Sequence, residues 1–115
     1  MNTLENYTLG RWTTGGHAPQ ELLDASTGEV IALANTEGFD FEAILAYGRR
    51  VGNPKLRRLT FHERGRMLKA LAFHLDSKKE QFYELSYRSG ATRADSWSDI
   101  EGGIGNLFAN ASLRR

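Results

Sequence analysis

The hydrophobic period of this chain changes once, near residue 39, and that change restricts what it can fold into. Before it, apolar residues recur at about every second position, in short runs broken by turn residues. After it, they recur every three or four. A period of two sends alternate side chains to opposite faces of a strand, and a period near 3.6 lays a stripe along a helix. The pattern predicts two or three short antiparallel strands over residues 1–38, followed by four helices over residues 39–115. Two or three strands alone are marginal in water and must lie on something else.

In the strand region, Tyr7-Thr8-Leu9-Gly10-Arg11-Trp12 mixes aromatic and β-branched residues and runs into Thr13-Thr14-Gly15-Gly16. The glycine pair supplies the positive φ of a reversal, so the first turn is expected there. Residues 20–24 form a second run, closed by Ala25-Ser26-Thr27-Gly28, and residues 29–35 form a third around Val30-Ile31-Ala32-Leu33.

Asp40 is the expected N-cap of the first helix, with Phe41, Ile44, Leu45, Gly48 and Val51 on one face. Gly52-Asn53-Pro54 is expected to stop it, because proline biases its predecessor out of the α region. Thr60 and Glu63 form a capping box for the second helix, whose core face is Phe61, Gly65, Leu68, Leu71, Ala72 and Leu75. Ser77 and Glu80 suggest another box for the third helix, with Phe82, Leu85 and Ser86 aligned and Gly90 as its terminator. The last helix, residues 95–112, gathers Trp97, Ile100, Ile104, Leu107, Phe108 and Ala111 within an arc of about 100°. Gly102, Gly103 and Gly105 interrupt it, each at about 1 kcal/mol relative to alanine. Close helix packing is the expected reason for them, with Gly102 clasped on both sides in a full-length parent. An isolated chain with that debt is expected to be loosely packed.

Composition excludes more than it suggests. Leu, Ile, Val and Phe make 26 of 115 residues, just above the level of roughly 20% below which chains stay disordered. Fifteen basic against 14 acidic residues leave a net charge of +1, with no global field to capture nucleic acid or a membrane surface. No run approaches the roughly 20 apolar residues of a membrane span, and residues 1–5 lack a signal pattern. The chain has no cysteine, so it can offer neither a disulfide nor a thiolate. Cytoplasmic residence is the expectation.

The residues that could carry chemistry do not assemble into a motif. His62 and His74 stand twelve apart, about 120° round a helix axis, and cannot share a metal ion. His17 sits in a turn. Between residues 49 and 69 there are eight basic residues against the single acid Glu63, but only Phe61 stands among them, not the repeated aromatics that single-strand binders use, so a solvated face is expected. Gly103-Ile104-Gly105-Asn106-Leu107-Phe108 falls short of the dinucleotide fingerprint, lacking the third glycine and the preceding strand. Ser96 has no base histidine nearby in sequence, and Asp99 and Glu101 point about 160° apart on a helix, which defeats a shared acid–base role. No catalytic, cofactor-binding or metal-ligating residue is assigned.

Several blocks nevertheless resemble the start of an aldehyde dehydrogenase. They are the segment Tyr7-Thr8-Leu9-Gly10-Arg11-Trp12, the turn and strand Thr27-Gly28-Glu29-Val30-Ile31, and the helix start Leu59-Thr60-Phe61-His62-Glu63-Arg64. Residues 85–90 are similar to the stretch before the family's threonine–glycine turn. Ser89-Gly90-Ala91-Thr92-Arg93-Ala94-Asp95-Ser96-Trp97, continued by Asp99-Ile100-Glu101-Gly102-Gly103-Ile104-Gly105, looks like the branch of aerobic phenylacetate breakdown. There a semialdehyde dehydrogenase is fused to a hotdog-fold, hydratase-like domain that opens an oxepin-CoA ring. The resemblance implies an α/β parent with a Rossmann-type cofactor domain, of which residues 1–115 are the N-terminal segment. It implies NAD(P) as the parent's cofactor, none bound by this segment alone, and a CoA-linked semialdehyde as substrate. The family's chemistry is covalent: a cysteine thiolate attacks the aldehyde, the adduct yields a hydride, and an activated water releases the acid. No residue here matches those groups. The expected partner is the remainder of the dehydrogenase chain, in a parent that forms homo-oligomers, with neither nucleic acid nor membrane. The alternative is a free-standing α+β interaction module without catalysis.

Overall fold

A computed structural model describes residues 2–113. Four strands form two separate antiparallel pairs: β1 (Asn6–Thr8) with β2 (Arg11–Thr13), and β3 (Gln20–Leu23) with β4 (Val30–Ala34). The helices are α1 (Phe41–Tyr47), α2 (Asn53–Arg58), α3 (Phe61–Asp76), α4 (Lys79–Arg88) and α5 (Arg93–Ser112), with a π-helical turn, Gly48–Gly52, joining α1 to α2. Because that turn keeps the helix unbroken from Phe41 to Arg58, there are four helical stretches, as the periodicity predicts. Contacts divide the chain into two compact units, Met1–Lys55 and Leu56–Arg115. No helix among the described residues is long and apolar enough to cross a membrane.

The first unit departs from the sequence reading at its first turn. The chain reverses at Leu9-Gly10, not at Gly15-Gly16, so that Tyr7 pairs with Trp12 and Thr8 with Arg11. Leu9 has φ 52° and Gly10 φ 81°, the paired positive values of the two-residue turn whose twist matches the flanking strands. The Tyr7 and Trp12 rings meet edge to face at 5.2 Å, a cross-strand contact worth about 0.2–1 kcal/mol. The second hairpin is closed as expected. Asp24 Oδ1 accepts from the amides of Ser26 and Thr27, and Gly28 takes φ 74°. On its other side β4 bonds the N-terminal stretch, Leu33 N–H donating to Asn2 O and Leu4 N–H to Leu33 O.

The expected stop at Pro54 fails for a geometric reason. Asn53 N–H donates to Gly48 O, five residues back. That wider turn carries the chain into α2 with Pro54 in its first turn, where a missing N–H is tolerated. Asp40 does cap α1, its Oδ1 accepting from Ala43 N–H at 2.9 Å.

In the second unit α5 is the spine, packed by α3 and α4. The Thr60–Glu63 box forms as predicted, with Glu63 Oε2 accepting from Thr60 N–H at 2.7 Å and Thr60 Oγ1 from Glu63 N–H at 3.2 Å. The Ser77–Glu80 box does not form. Ser77 Oγ turns back to donate to His74 O at 2.7 Å, and Lys78 stands at the N-cap of α4 without a side-chain cap. Only two residues separate α3 from α4, so Ser77 serves the helix it ends. Gly90, at φ 88°, terminates α4 as expected: its N–H donates to Tyr87 O and that of Ala91 to Ser86 O, the two bonds of a Schellman ending. Helix α5 begins two residues earlier than predicted, capped by Thr92, whose Oγ1 accepts from Asp95 N–H.

Four of the six buried positions in these helices are small, Gly65 and Ala72 of α3 and Ser96 and Ala111 of α5, beside Ile104 of α5 and Tyr83 of α4. Expected core residues lie outside: Phe61 is 78% exposed, Trp97 62%, and Leu71 and Leu85 are also exposed. The helices of this unit do not supply the close packing expected at the three glycines. A methyl added at Gly102, Gly103 or Gly105 would meet open space among the described residues, so close packing inside this unit does not explain them.

Two substitutions therefore have opposite expected signs. Gly102→Ala should stabilise the chain by about 0.5–1 kcal/mol, seen as a raised urea midpoint at unchanged slope. Gly10→Ala should destabilise it by more than about 1 kcal/mol, since φ is positive there and the new Cβ would stand 2.5 Å from Tyr47 Oη.

Candidate functional site

The polar cluster with the most partners sits where α3, α4 and α5 meet. Lys79, in the first turn of α4, places Nζ 3.3 Å from Asp76 Oδ1 at the end of α3 and 3.3 Å from Glu101 Oε1 on α5. The Tyr83 hydroxyl donates to the same Glu101 oxygen at 3.4 Å. The guanidinium carbon of Arg93 stands 5.9 Å from the Tyr83 ring centre, within cation–π range. Ten residues before Ser96, Ser86 receives its hydroxyl proton: Ser96 Oγ donates to Ser86 Oγ at 2.8 Å, with Ser96 fully buried.

This arrangement fastens helices together and leaves no group free to react. The hydrogen bonds to Glu101 and Asp76 hold the Lys79 ammonium above its ordinary pKa. Burial, and then the charge of Glu101, push the Tyr83 phenol up as well. Neither becomes a base near neutral pH, since both shifts favour the protonated form. Glu63 is shifted the other way, held below the usual carboxylate range chiefly by the Thr60 amide.

The other candidates stay apart. His17, His62 and His74 are exposed, and no group of three or more His, Asp or Glu among the described residues could hold a metal ion. Ser96 is buried against Ser86 and is not presented as a nucleophile. Asp99 is exposed, while Glu101 is engaged with Lys79 and Tyr83. The basic residues between 49 and 69 lie on the π turn, α2 and α3, most of them exposed, and Arg64 donates from Nε to Leu56 O at 3.0 Å. A cleft of about 340 Å³ in the first unit is lined by Arg11, Glu37 and Asp40 among others. Both acids there are occupied: Glu37 Oε2 accepts from the amides of His17 and Ala18, and Asp40 caps α1.

The Gly103–Gly105 segment does not form a dinucleotide-binding turn. Gly103 and Gly105 lie mid-way along α5, where backbone amides are spent on the helix itself and cannot point at a pyrophosphate. Sequence reasoning missed the Lys79–Glu101–Tyr83 cluster. Lys79 and Asp76 are three apart and could have been paired by helical spacing alone, whereas Glu101 enters only through tertiary packing.

No known family model matches the chain. What the chain is similar to is a dehydrogenase. Over 102 residues, 88% of its length, it is 35% identical to the 3,4-dehydroadipyl-CoA semialdehyde dehydrogenase of Aromatoleum evansii. The match covers 20% of that enzyme, so the chain spans about a fifth of the length of this curated relative. The resemblance to a semialdehyde dehydrogenase drawn from the sequence blocks holds.

The cluster makes a pH prediction. Raised pKa values of Lys79 and Tyr83 mean that the folded chain binds their protons more tightly than the unfolded chain. The associated stability is full at neutral pH and is lost as pH rises through and beyond the ordinary lysine and tyrosine range. Urea midpoints should fall between about pH 8 and about pH 11, and fall less in a Lys79→Met, Tyr83→Phe double variant. An equal fall in that variant would show that the cluster does not carry the effect.

Proposed function

We propose that this chain is the N-terminal segment of an NAD(P)-dependent aldehyde dehydrogenase that oxidises a CoA-linked semialdehyde in the breakdown of phenylacetate or a similar aromatic acid. The observation that carries the reading is the 35% identity over 88% of the chain to a CoA-semialdehyde dehydrogenase. Within the parent, residues 1–115 act as scaffold in the cofactor-binding, Rossmann-type domain, strands over 1–38 and helices over 39–115. The remainder of the dehydrogenase chain is their partner, in a cytoplasmic homo-oligomer.

The division of labour follows from chemistry. Aldehyde oxidation by this route needs a thiolate to form the covalent adduct from which hydride departs, and the chain contains no cysteine. A nicotinamide cofactor would supply the hydride acceptor, and residues of the parent outside this segment would hold it. What residues 1–115 contribute is position: capped helices and two pinned hairpins.

The test has two arms. The purified 115-residue chain, incubated with CoA-linked semialdehydes and with NAD or NADP, should show no turnover above a boiled control. The full product of the reading frame that contains it should reduce the cofactor. Turnover by the short chain would overturn the scaffold assignment. A frame that closes after residue 115, or a longer product without aldehyde oxidation, would favour a free-standing interaction module.

A further inference from the structure

The β1–β2 hairpin has two unlike faces. Tyr7 and Trp12 pair across it on one side. Because side chains alternate along a strand, Thr8, Arg11 and Thr13 fall on the other, where the Thr8 and Thr13 hydroxyl oxygens stand 3.4 Å apart. That polar face lines the cleft of about 340 Å³ in the first unit. The rest of the lining comes from Leu9, Thr14, the turn from Glu37 to Asp40, and Ile44 of α1. Gly38 makes that turn at φ 81°. Gly10 lies against the Tyr47 hydroxyl of α1, so hairpin and helix meet beside the cleft. Its volume is that of a small ligand pocket, of which the usual range is about 300–1,000 Å³.

Charges of both signs line this cleft without meeting. The Arg11 guanidinium has no ion pair or hydrogen bond among the described residues. Glu37 uses Oε2 for the amides of His17 and Ala18, and Asp40 uses Oδ1 for that of Ala43. Each acid therefore keeps a second oxygen, Glu37 Oε1 and Asp40 Oδ2, without a partner among the described residues. A guanidinium is a planar fork that fits a carboxylate, and a pair of carboxylate oxygens fits an ammonium. The same lining includes the half-buried, apolar Phe39 and Ile44. A ligand bearing only a carboxylate would face two like charges here, and one bearing only an amine would face Arg11. A ligand bearing both complements every charge in the cleft.

We infer that this cleft binds a zwitterionic amino acid with an apolar side chain. Arg11 receives the carboxylate, donating from two nitrogens of its fork, and the Thr14 hydroxyl adds a donor beside it. Glu37 Oε1 and Asp40 Oδ2 accept from the ammonium. The apolar side chain lies on Phe39 and Ile44. Arg11, Glu37 and Asp40 are exposed, so solvent screens each ion pair taken alone. Affinity is therefore modest and depends on the three contacts acting together. The inference does not depend on the proposed function, since it concerns binding in the first unit and no step of aldehyde oxidation.

Two-dimensional amide NMR of the isotope-labelled chain tests this with free phenylalanine and two truncated probes: phenylpropanoate, which lacks the ammonium, and phenylethylamine, which lacks the carboxylate. Phenylalanine should shift the amides of residues 11–14 and 37–44 and leave those of the second unit in place. Each truncated probe should bind at least about tenfold more weakly. Arg11→Met keeps the stem without the charge and should weaken phenylalanine binding by a similar factor. Glu37→Gln and Asp40→Asn retain an acceptor for the amides they hold, so each should keep the fold and lower phenylalanine binding several-fold. Equal binding of either truncated probe would reduce the site to a single charge contact and overturn the zwitterion assignment. Shifts spread over both units, or none at any soluble concentration of phenylalanine, would overturn the site itself. Every one of these results leaves the dehydrogenase reading as it stands.

Discussion

Close approach along α5 is the condition on which the helical unit depends. Helices α3 and α4 reach it through positions with little or no side chain: Gly65 and Ala72 from α3, and Ser96 and Ala111 on α5 itself. Small residues at a seam let backbones come near, but they bury little apolar area, at roughly 25 cal/mol per Å². Ile104 and Tyr83 are the large side chains buried there. The polar pairs at the same seams, Ser96 with Ser86 and Lys79 with Glu101, then fix which parts of the helices face each other. Replacing a seam residue by a larger one would overpack that seam, which typically costs about 1–3 kcal/mol.

The first unit rests on a different constraint, local backbone chemistry. Its reversals are set by positive φ at Leu9, Gly10 and Gly28 and by short side chains that bond their own backbone, as Asp24 and Asp40 do. Loop and hairpin are tied again by Asn6 Nδ2 donating to Asn35 O at 2.9 Å and by Glu37 holding two amides of the preceding loop. Such devices shape a chain without a large core.

Legibility followed the same division. Features settled within four residues could be read: the Asp40 cap, the Thr60–Glu63 box, the Gly90 ending and the Asp24–Gly28 turn. Where two local signals competed, the reading went wrong. Leu9-Gly10 and Gly15-Gly16 both suit a reversal, and cross-strand pairing of Tyr7 with Trp12 selects the first. Pro54 reads as a stop, yet a π turn upstream absorbs it. Ser77 can cap forward or bond backward, and a two-residue link leaves it the second. Burial was the least legible of all. The stripe of Trp97, Ile104 and Phe108 is present on α5, but which of its members a neighbour covers depends on where α3 and α4 end, and Trp97 falls outside. The candidate site offered less still, because the sequence blocks that resemble a dehydrogenase contain no residue matching the groups to which the resemblance assigns the chemistry.

The links between helices have a kinetic meaning. Two residues join α3 to α4 and four join α4 to α5, closed by the Schellman ending and the Thr92 cap. Contacts between elements so near in sequence carry low contact order and form fast. During synthesis, at about 5–20 residues per second, such a hairpin of helices can assemble as soon as α5 leaves the ribosome. It then stands as a preformed surface with aromatic rings such as Phe61 and Trp97 uncovered. Speed of assembly and exposure of apolar surface thus go together in this unit, and the second is what leaves it open to unwanted association.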